Sequence, residues 1–202
     1  MANFPLIQTT EGEWTSGKFW DILGVKIPLL FTQDPASLAD FICHFETRPE
    51  DVFVVAYPKS GTSWVQEIVW QIYNEGAISS EKQFFRFPFL EGCACNANQQ
   101  LVIDFKALPS PRMIKSHLPY QTTPKSANED DQCKYIYVAR NPKDVAVSFF
   151  HFVEHWKKVG ISSYNGPWEF FSKLFIEGKA GFNFCNDHVL DWWKKVETQR
   201  RS

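Results

Sequence analysis

A cation, three hydroxyls and a glycine stand together at Lys59, Ser60, Gly61, Thr62 and Ser63, between the apolar run Val52–Ala56 and a run of apolar residues at helical spacing. A strand that delivers such a turn to a helix N-terminus makes an anion site from backbone. Successive N–H groups point into the turn, and the helix dipole adds partial positive charge. Gly61 permits close approach, Ser60, Thr62 and Ser63 add hydroxyl donors, and Lys59 supplies a full charge. Phosphate or sulfate is the natural guest. The same residues would also suit an ordinary strand-to-helix turn with polar caps. The order differs from that of the magnesium-dependent nucleotide loop, in which Lys follows the second glycine and Ser or Thr comes next; here Lys59 precedes Gly61. Asp104, after the apolar Leu101-Val102-Ile103, reads as a strand-end or loop carboxylate rather than a magnesium ligand. The anion is expected to be held without metal.

Positioning that turn requires a buried strand over Asp51–Tyr57, where the β-branched run is continuous. From Thr62 the period changes: Trp64, Val65, Ile68, Val69 and Ile72 predict a helix that Gly76 stops. Residues 77–110 read as a long irregular region of the kind used for lids and binding loops. A strand then ends near His117, followed by a polar connection around Ala127–Asp131. The next strand, Lys134–Ala139, runs into Arg140, and Asn141-Pro142 offers a cap and first turn for another helix. Two further helices are expected in "GPWEFFSKLFIEG" and "NDHVLDWWKKVE"; in the first, Trp168, Phe171, Leu174 and Phe175 share a face and Gly178 closes it. The first fifty residues show only weak periodicity. Strands alternating with helices, without a linker, predict one α/β domain over residues 1–202, built on a P-loop-like parallel sheet flanked by helices.

Composition narrows the function classes. A formal charge of −2 with no Lys/Arg stripe argues against a nucleic-acid binder. The five cysteines are odd in number, dispersed and free of any CxxC pair, which argues against a disulfide framework or a zinc site; Cys93-Ala94-Cys95 reads as two ordinary thiols in a loop. Met1–Thr10 lacks the pattern of a signal peptide, and no apolar run approaches the length of a membrane span. A cytoplasmic protein without metal or membrane contact is the expectation.

Three blocks, in order, resemble the cytosolic sulfotransferase family. "YPKSGTSW" (Tyr57–Trp64) resembles its 5′-phosphosulfate loop, "PRMIKSHLP" (Pro111–Pro119) its strand bearing the catalytic His, and "YVARNPKDVAVSFFHF" (Tyr137–Phe152) its 3′-phosphate segment. Weaker similarity runs from "GVKIPLL" to "DHVLDWW". The resemblance implies transfer of a sulfuryl group from 3′-phosphoadenosine 5′-phosphosulfate (PAPS) to a hydroxyl or amine of a small aromatic or steroid-like acceptor, by in-line displacement. It implies that His117 is the base, that Lys59 lies along the bridging oxygen of PAPS, and that Lys115 steadies the transferred group. Lys115 is two residues before His117 and so shares its strand face. Ser60, Gly61, Thr62 and Ser63 would hold the 5′-phosphosulfate, Trp64 would stack on adenine, and Arg140 with Ser148 would bind the 3′-phosphate. Phe89 and Phe152 correspond to aromatics of the acceptor pocket. His44, His151, His155 and His188 have no counterpart context and read as structural.

Two departures from the family pattern are visible. Ser63 stands where Thr is usual, which keeps the hydroxyl. The chain stops at "KKVETQRRS", where the family continues into another strand, further helices, a Gly-rich basic segment over the cofactor and a dimerisation motif. A C-terminally truncated enzyme is the expectation, with its oligomeric state open and Leu190, Trp192 and Trp193 uncovered by the missing elements. Two alternatives remain at this level. One is a catalytically silent paralogue or isoform that binds a ligand or partner; the other is a P-loop nucleoside kinase, against which the absent Gly-Lys-Ser/Thr sequence speaks.

Overall fold

A computed structural model describes residues 3–93, 103–126 and 133–201 of the chain. Ala94, Cys95 and the connection around Ala127–Asp131 lie outside the described residues, as do Leu101 and Val102.

At the centre is a parallel sheet of β6 (Val52–Ala56), β7 (Met113–Ser116) and β8 (Lys134–Val138), which follow five short N-terminal strands described below and have the order β7-β6-β8. Every residue of β6 is buried, as a strand covered on both faces must be. Val52 and Val54 face one way and pack with Val69 of α2 (Thr62–Tyr73). Phe53 and Val55 face the other, into the main core with Ile114, Val145 and Phe149. At the amino ends of the strands the buried Asp51 and Arg112 pair. Arg112 Nε donates to Oδ1 at 2.8 Å, and the guanidinium also reaches the carbonyls of Phe105 and Glu46 at 3.0 and 2.8 Å. These bonds satisfy both buried charges and tie β6 to β7 at the end away from the turn.

The helices follow their end signals. Asn141 caps α5 (Pro142–Lys158), its side-chain oxygen accepting from the Lys143 N–H at 3.0 Å, with Pro142 in the first turn. In α6 (Trp168–Ile176), Phe171, Leu174 and Phe175 are buried as expected, joined by Phe170, while Trp168 stays partly exposed against Phe171. The last helix, α7 (Cys185–Arg201), buries Trp192 and leaves Leu190 and Trp193 exposed. The expectation that all three are uncovered is therefore corrected for Trp192, whose indole N–H donates to the Leu118 carbonyl at 3.3 Å.

Two regions differ from the sequence reading. The weakly periodic N-terminus forms β1 (Leu6–Ile7), β2 (Thr10–Glu11), β3 (Trp14–Thr15), β4 (Phe19–Ile22) and β5 (Val25–Pro28), then α1 (Pro35–Cys43). Strands β1, β4 and β5 make an antiparallel sheet, and β2 pairs with β3. Ile22 pairs with Val25, so Leu23 and Gly24 form a two-residue turn at φ +54° and +79°. The region read as irregular also contains two short helices, α3 (Gln83–Arg86) and α4 (Leu90–Cys93). No described helix is long and apolar enough to cross a membrane.

Candidate functional site

All three parallel strands end on the same side, and each delivers a part of one site, as open α/β sheets do at their carboxyl ends. β6 leads through Tyr57-Pro58 into the Lys59–Ser63 turn, β7 ends one residue before His117, and β8 leads through Ala139 to Arg140. Lys59 and Gly61 both take left-handed backbones, φ +71° and +103°, and Gly61 is the N-cap of α2. Among the described residues the N–H groups of Gly61, Thr62 and Ser63 have no carbonyl or side-chain partner. Free N–H groups at a helix start suit an anion.

A cavity of about 660 Å³ opens over this edge. Lys59, Gly61, Thr62, Ser63, Lys115, His117, Arg140, Ser148, Phe89 and Phe152, all expected from the sequence, line it. Two expected members are not on the wall. Ser60 is buried, its N–H donating to the Tyr57 carbonyl at 3.2 Å, and Trp64 is 76% exposed. Trp64 is thus neither core nor cavity wall; its ring stands free at the first turn of α2.

The wall divides by chemistry. Lys18, Lys59, Lys115 and Arg140 are its charged members, and no Asp or Glu joins them among the described residues. The Arg140 guanidinium donates to the Lys59 carbonyl at 3.3 Å, fastening the turn to the end of β8. Partial burial pushes the Lys59 ammonium down from its ordinary value, and the neighbouring Arg140 pushes the same way. Aromatic rings make up much of the rest and adjoin the cations. Lys59 Nζ sits 4.2 Å above the Phe152 ring, and Lys115 Nζ 4.4 Å above Phe89.

His117 lies where the two parts meet. Its Nδ1 is 2.7 Å from the Ala56 carbonyl, which can only accept, so Nδ1 carries the proton and Nε2 is left to the cavity. Burial drives the imidazole well below its ordinary pKa, with Lys115 adding to the effect and the Ala56 bond opposing it. The ring is therefore neutral at physiological pH, with its lone pair on Nε2. Phe89 and Phe182 hold it edge-on, with ring centroids 5.2 and 5.5 Å away. Chemically, the arrangement can hold an anion at the turn and take a proton from a molecule resting on the aromatic wall.

Several members were not found from the sequence. Phe19 and Phe31 reach the cavity from the N-terminal layer, and Trp156 and Phe182 from beyond the recognised segments. Phe182 holds φ +53°, fixed by its N–H on the Lys26 carbonyl at 2.8 Å. Two ionisable groups also lie behind His117. The buried Glu91 accepts the His117 backbone N–H at 2.6 Å, and His188 Nε2 lies 3.0 Å from the His117 carbonyl. Nothing in residue type or spacing marked either. Asp104 is exposed in a loop, as expected, and accepts the Lys106 N–H at 2.9 Å.

The family model described as "Sulfotransferase domain" matches residues 49–201. Sulfotransferase 1B1 of Canis lupus familiaris is 38% identical over 173 residues, covering 84% of this chain and 56% of that protein. Sulfotransferase 1E1 of Homo sapiens is 37% identical over 188 residues, covering 91% and 60%. The chain thus spans little more than half the length of these curated relatives. Among solved structures, mouse sulfotransferase SULT7A1 complexed with PAP superposes with a TM-score of 0.66 at 29% identity, covering 85% of this chain and 56% of that one.

Proposed function

The chain belongs to the sulfotransferase family, and from that premise we propose that it moves a sulfuryl group from PAPS to a hydroxyl or amine of a small acceptor in the cytoplasm, as a single domain over residues 1–202. The carrying observation is the buried His117, its Nδ1–H held by the Ala56 carbonyl, on a cavity whose charged members among the described residues are all cations. The unpartnered N–H groups of Gly61, Thr62 and Ser63 fit the phosphosulfate end of PAPS. Arg140 and Ser148 line the wall where a 3′-phosphate would be held, and the exposed Trp64 offers a face for adenine.

PAPS supplies the electrophilic sulfuryl group and a phosphate leaving group that gains charge during transfer. Lys59 and Lys115 provide positive charge for that change, and His117 Nε2 takes the acceptor's proton. Phe89 and Phe152 offer flat apolar surface to a phenol, steroid or arylamine.

The test pairs calorimetric titration of the chain with PAP, the desulfated nucleotide, and radiolabelled transfer from PAPS to a phenol, a steroid and an arylamine. Saturable binding and transfer are expected, and His117→Ala should cut kcat by about a hundredfold with PAP affinity retained. Turnover by His117→Ala within a few-fold of the parent would remove its role as base. Tight PAP binding with no transfer to any acceptor would favour a silent, ligand-binding isoform, and absence of binding would overturn the proposal.

A further inference from the structure

His117 stands one residue past β7, where ladder hydrogen bonds to β6 have ended. Backbone groups in such a place normally find water or another main chain. Here side chains take them. Glu91 Oε1, on α4, accepts the His117 N–H at 2.6 Å and the Ser116 hydroxyl at 3.1 Å. Ser116 Oγ in turn accepts the Leu118 N–H at 3.1 Å. The His117 carbonyl receives His188 Nε2–H at 3.0 Å, and the Leu118 carbonyl receives the Trp192 indole N–H at 3.3 Å. His188 and Trp192 are four residues apart on α7 and so share a face.

Both ionisable members are expensive to bury. Among the described residues Glu91 Oε2 has no partner, and the carboxyl is buried, with Lys115 the cation that acts on it. His188 is 2% exposed; its Nδ1 must accept from the Tyr137 hydroxyl at 2.9 Å, because Nε2 donates to a carbonyl, and Asp191 is the charge that acts on it. An apolar side chain would fill either place at lower cost. What an apolar side chain lacks is direction. A hydrogen-bonding group on each side of one peptide segment fixes the position from which the imidazole is hung.

We propose that Glu91 and His188 are positioning residues for His117, gripping its N–H and C=O from α4 and α7 so that the imidazole keeps Nδ1–H on Ala56 and turns Nε2 to the cavity. Catalytic significance rests on the reading of His117 as the base; the positioning itself does not. Misplacing a catalytic group by about an ångström can cost on the order of a hundredfold in rate.

The test compares Glu91→Gln, which keeps an acceptor oxygen, with Glu91→Met, which has similar length and only a weakly accepting thioether. His188→Gln, which keeps a donor, is likewise compared with His188→Leu. Two readouts are taken on the full chain: the tautomer of His117 by nitrogen NMR at neutral pH, and kcat with PAPS alongside PAP affinity. The Gln variants should keep the Nδ1–H tautomer and kcat within a few-fold. The Met and Leu variants should show mixed tautomers and kcat down by about ten- to hundredfold, with PAP affinity unchanged. The proposal is overturned if the tautomer is the same in all four, or if Gln and apolar variants lose it alike. Since the tautomer is read without turnover, a protein that never transfers sulfuryl groups still answers the positioning question, and only the proposed reaction fails.

Discussion

Acidification should destabilise the protein gradually, and Glu91→Gln should make it fall faster. Burial raises the Glu91 carboxyl from 4.5 to about 7, so the stability it contributes is fully present below 4.5 and is lost as pH rises through about 7. His188 is the reverse. Burial lowers it from 6.5 to about 4, so its contribution is fully present above 6.5 and is lost as pH falls towards about 4. His117 is depressed in the same sense. Between about pH 6.5 and 4.5 the proton that the unfolded chain binds on His188 is offset by the one that the native protein binds on Glu91, and His117, depressed in the same sense as His188, tips the balance. The parent therefore loses stability with acid, by at most about 1.4 kcal/mol per pH unit. Glu91→Gln removes the native proton and steepens that loss by about 1.4 kcal/mol per pH unit. Urea unfolding of parent and variant across this window measures both slopes. Parallel slopes would mean that Glu91 does not take up a proton on folding, and a parent that gains stability with acid would refute the assignment of both histidines as buried and neutral.

Arg140→Ala should weaken PAP by about ten- to hundredfold and an analogue lacking the 3′-phosphate much less, since a charge-assisted bond contributes about 1.5–3 kcal/mol; titration with both nucleotides checks it, and equal losses would place Arg140's effect in its bond to the Lys59 carbonyl. Gly61→Ala should cost about 1–2 kcal/mol in unfolding free energy, because its φ of +103° disfavours any Cβ although no atom within 4 Å obstructs one. A thermal midpoint equal to the parent's would show that the turn relaxes without strain.

What the sequence disclosed and what it hid follow from interaction range. β6, β8 and the starts of α2 and α5 were legible because a β-branched run, a change of period and an Asn-Pro cap act within a few residues. The N-terminal strands of two to four residues are too short to establish an alternation, and their tight turn uses Leu23 at positive φ where Asn or Asp would have announced it. The wall was legible where a residue belonged to a recognised segment. Phe31 and Phe182 reach it only through folding, and Glu91 and His188 act on His117 across 26 and 71 positions of sequence. The direction of a side chain was similarly out of reach: Ser60 and Trp64 belong to the turn, but one is turned inward and the other outward.

The placement of the buried carboxyl bears on His117 in its proposed role as base. A carboxylate on the ring nitrogen of a histidine fixes its tautomer and also strengthens it as a base. Here the two effects are separated. The tautomer is fixed by the uncharged Ala56 carbonyl, and the Glu91 carboxyl is spent on the backbone N–H of His117. The ring thus gains direction without a negative charge on its own nitrogen, while burial first, then Lys115, and less strongly His188 and Lys59, press its proton affinity down. A general base works best with a pKa near the operating pH, whereas burial and the neighbouring cations hold His117 well below its ordinary value. An anion set against Lys59 would offset only that cation's share of the depression, with burial and Lys115 still acting on the ring. In the proposed role of base, His117 would then be somewhat stronger towards an acceptor that arrives beside the anion than towards one that arrives alone, through charge and without any movement of the chain.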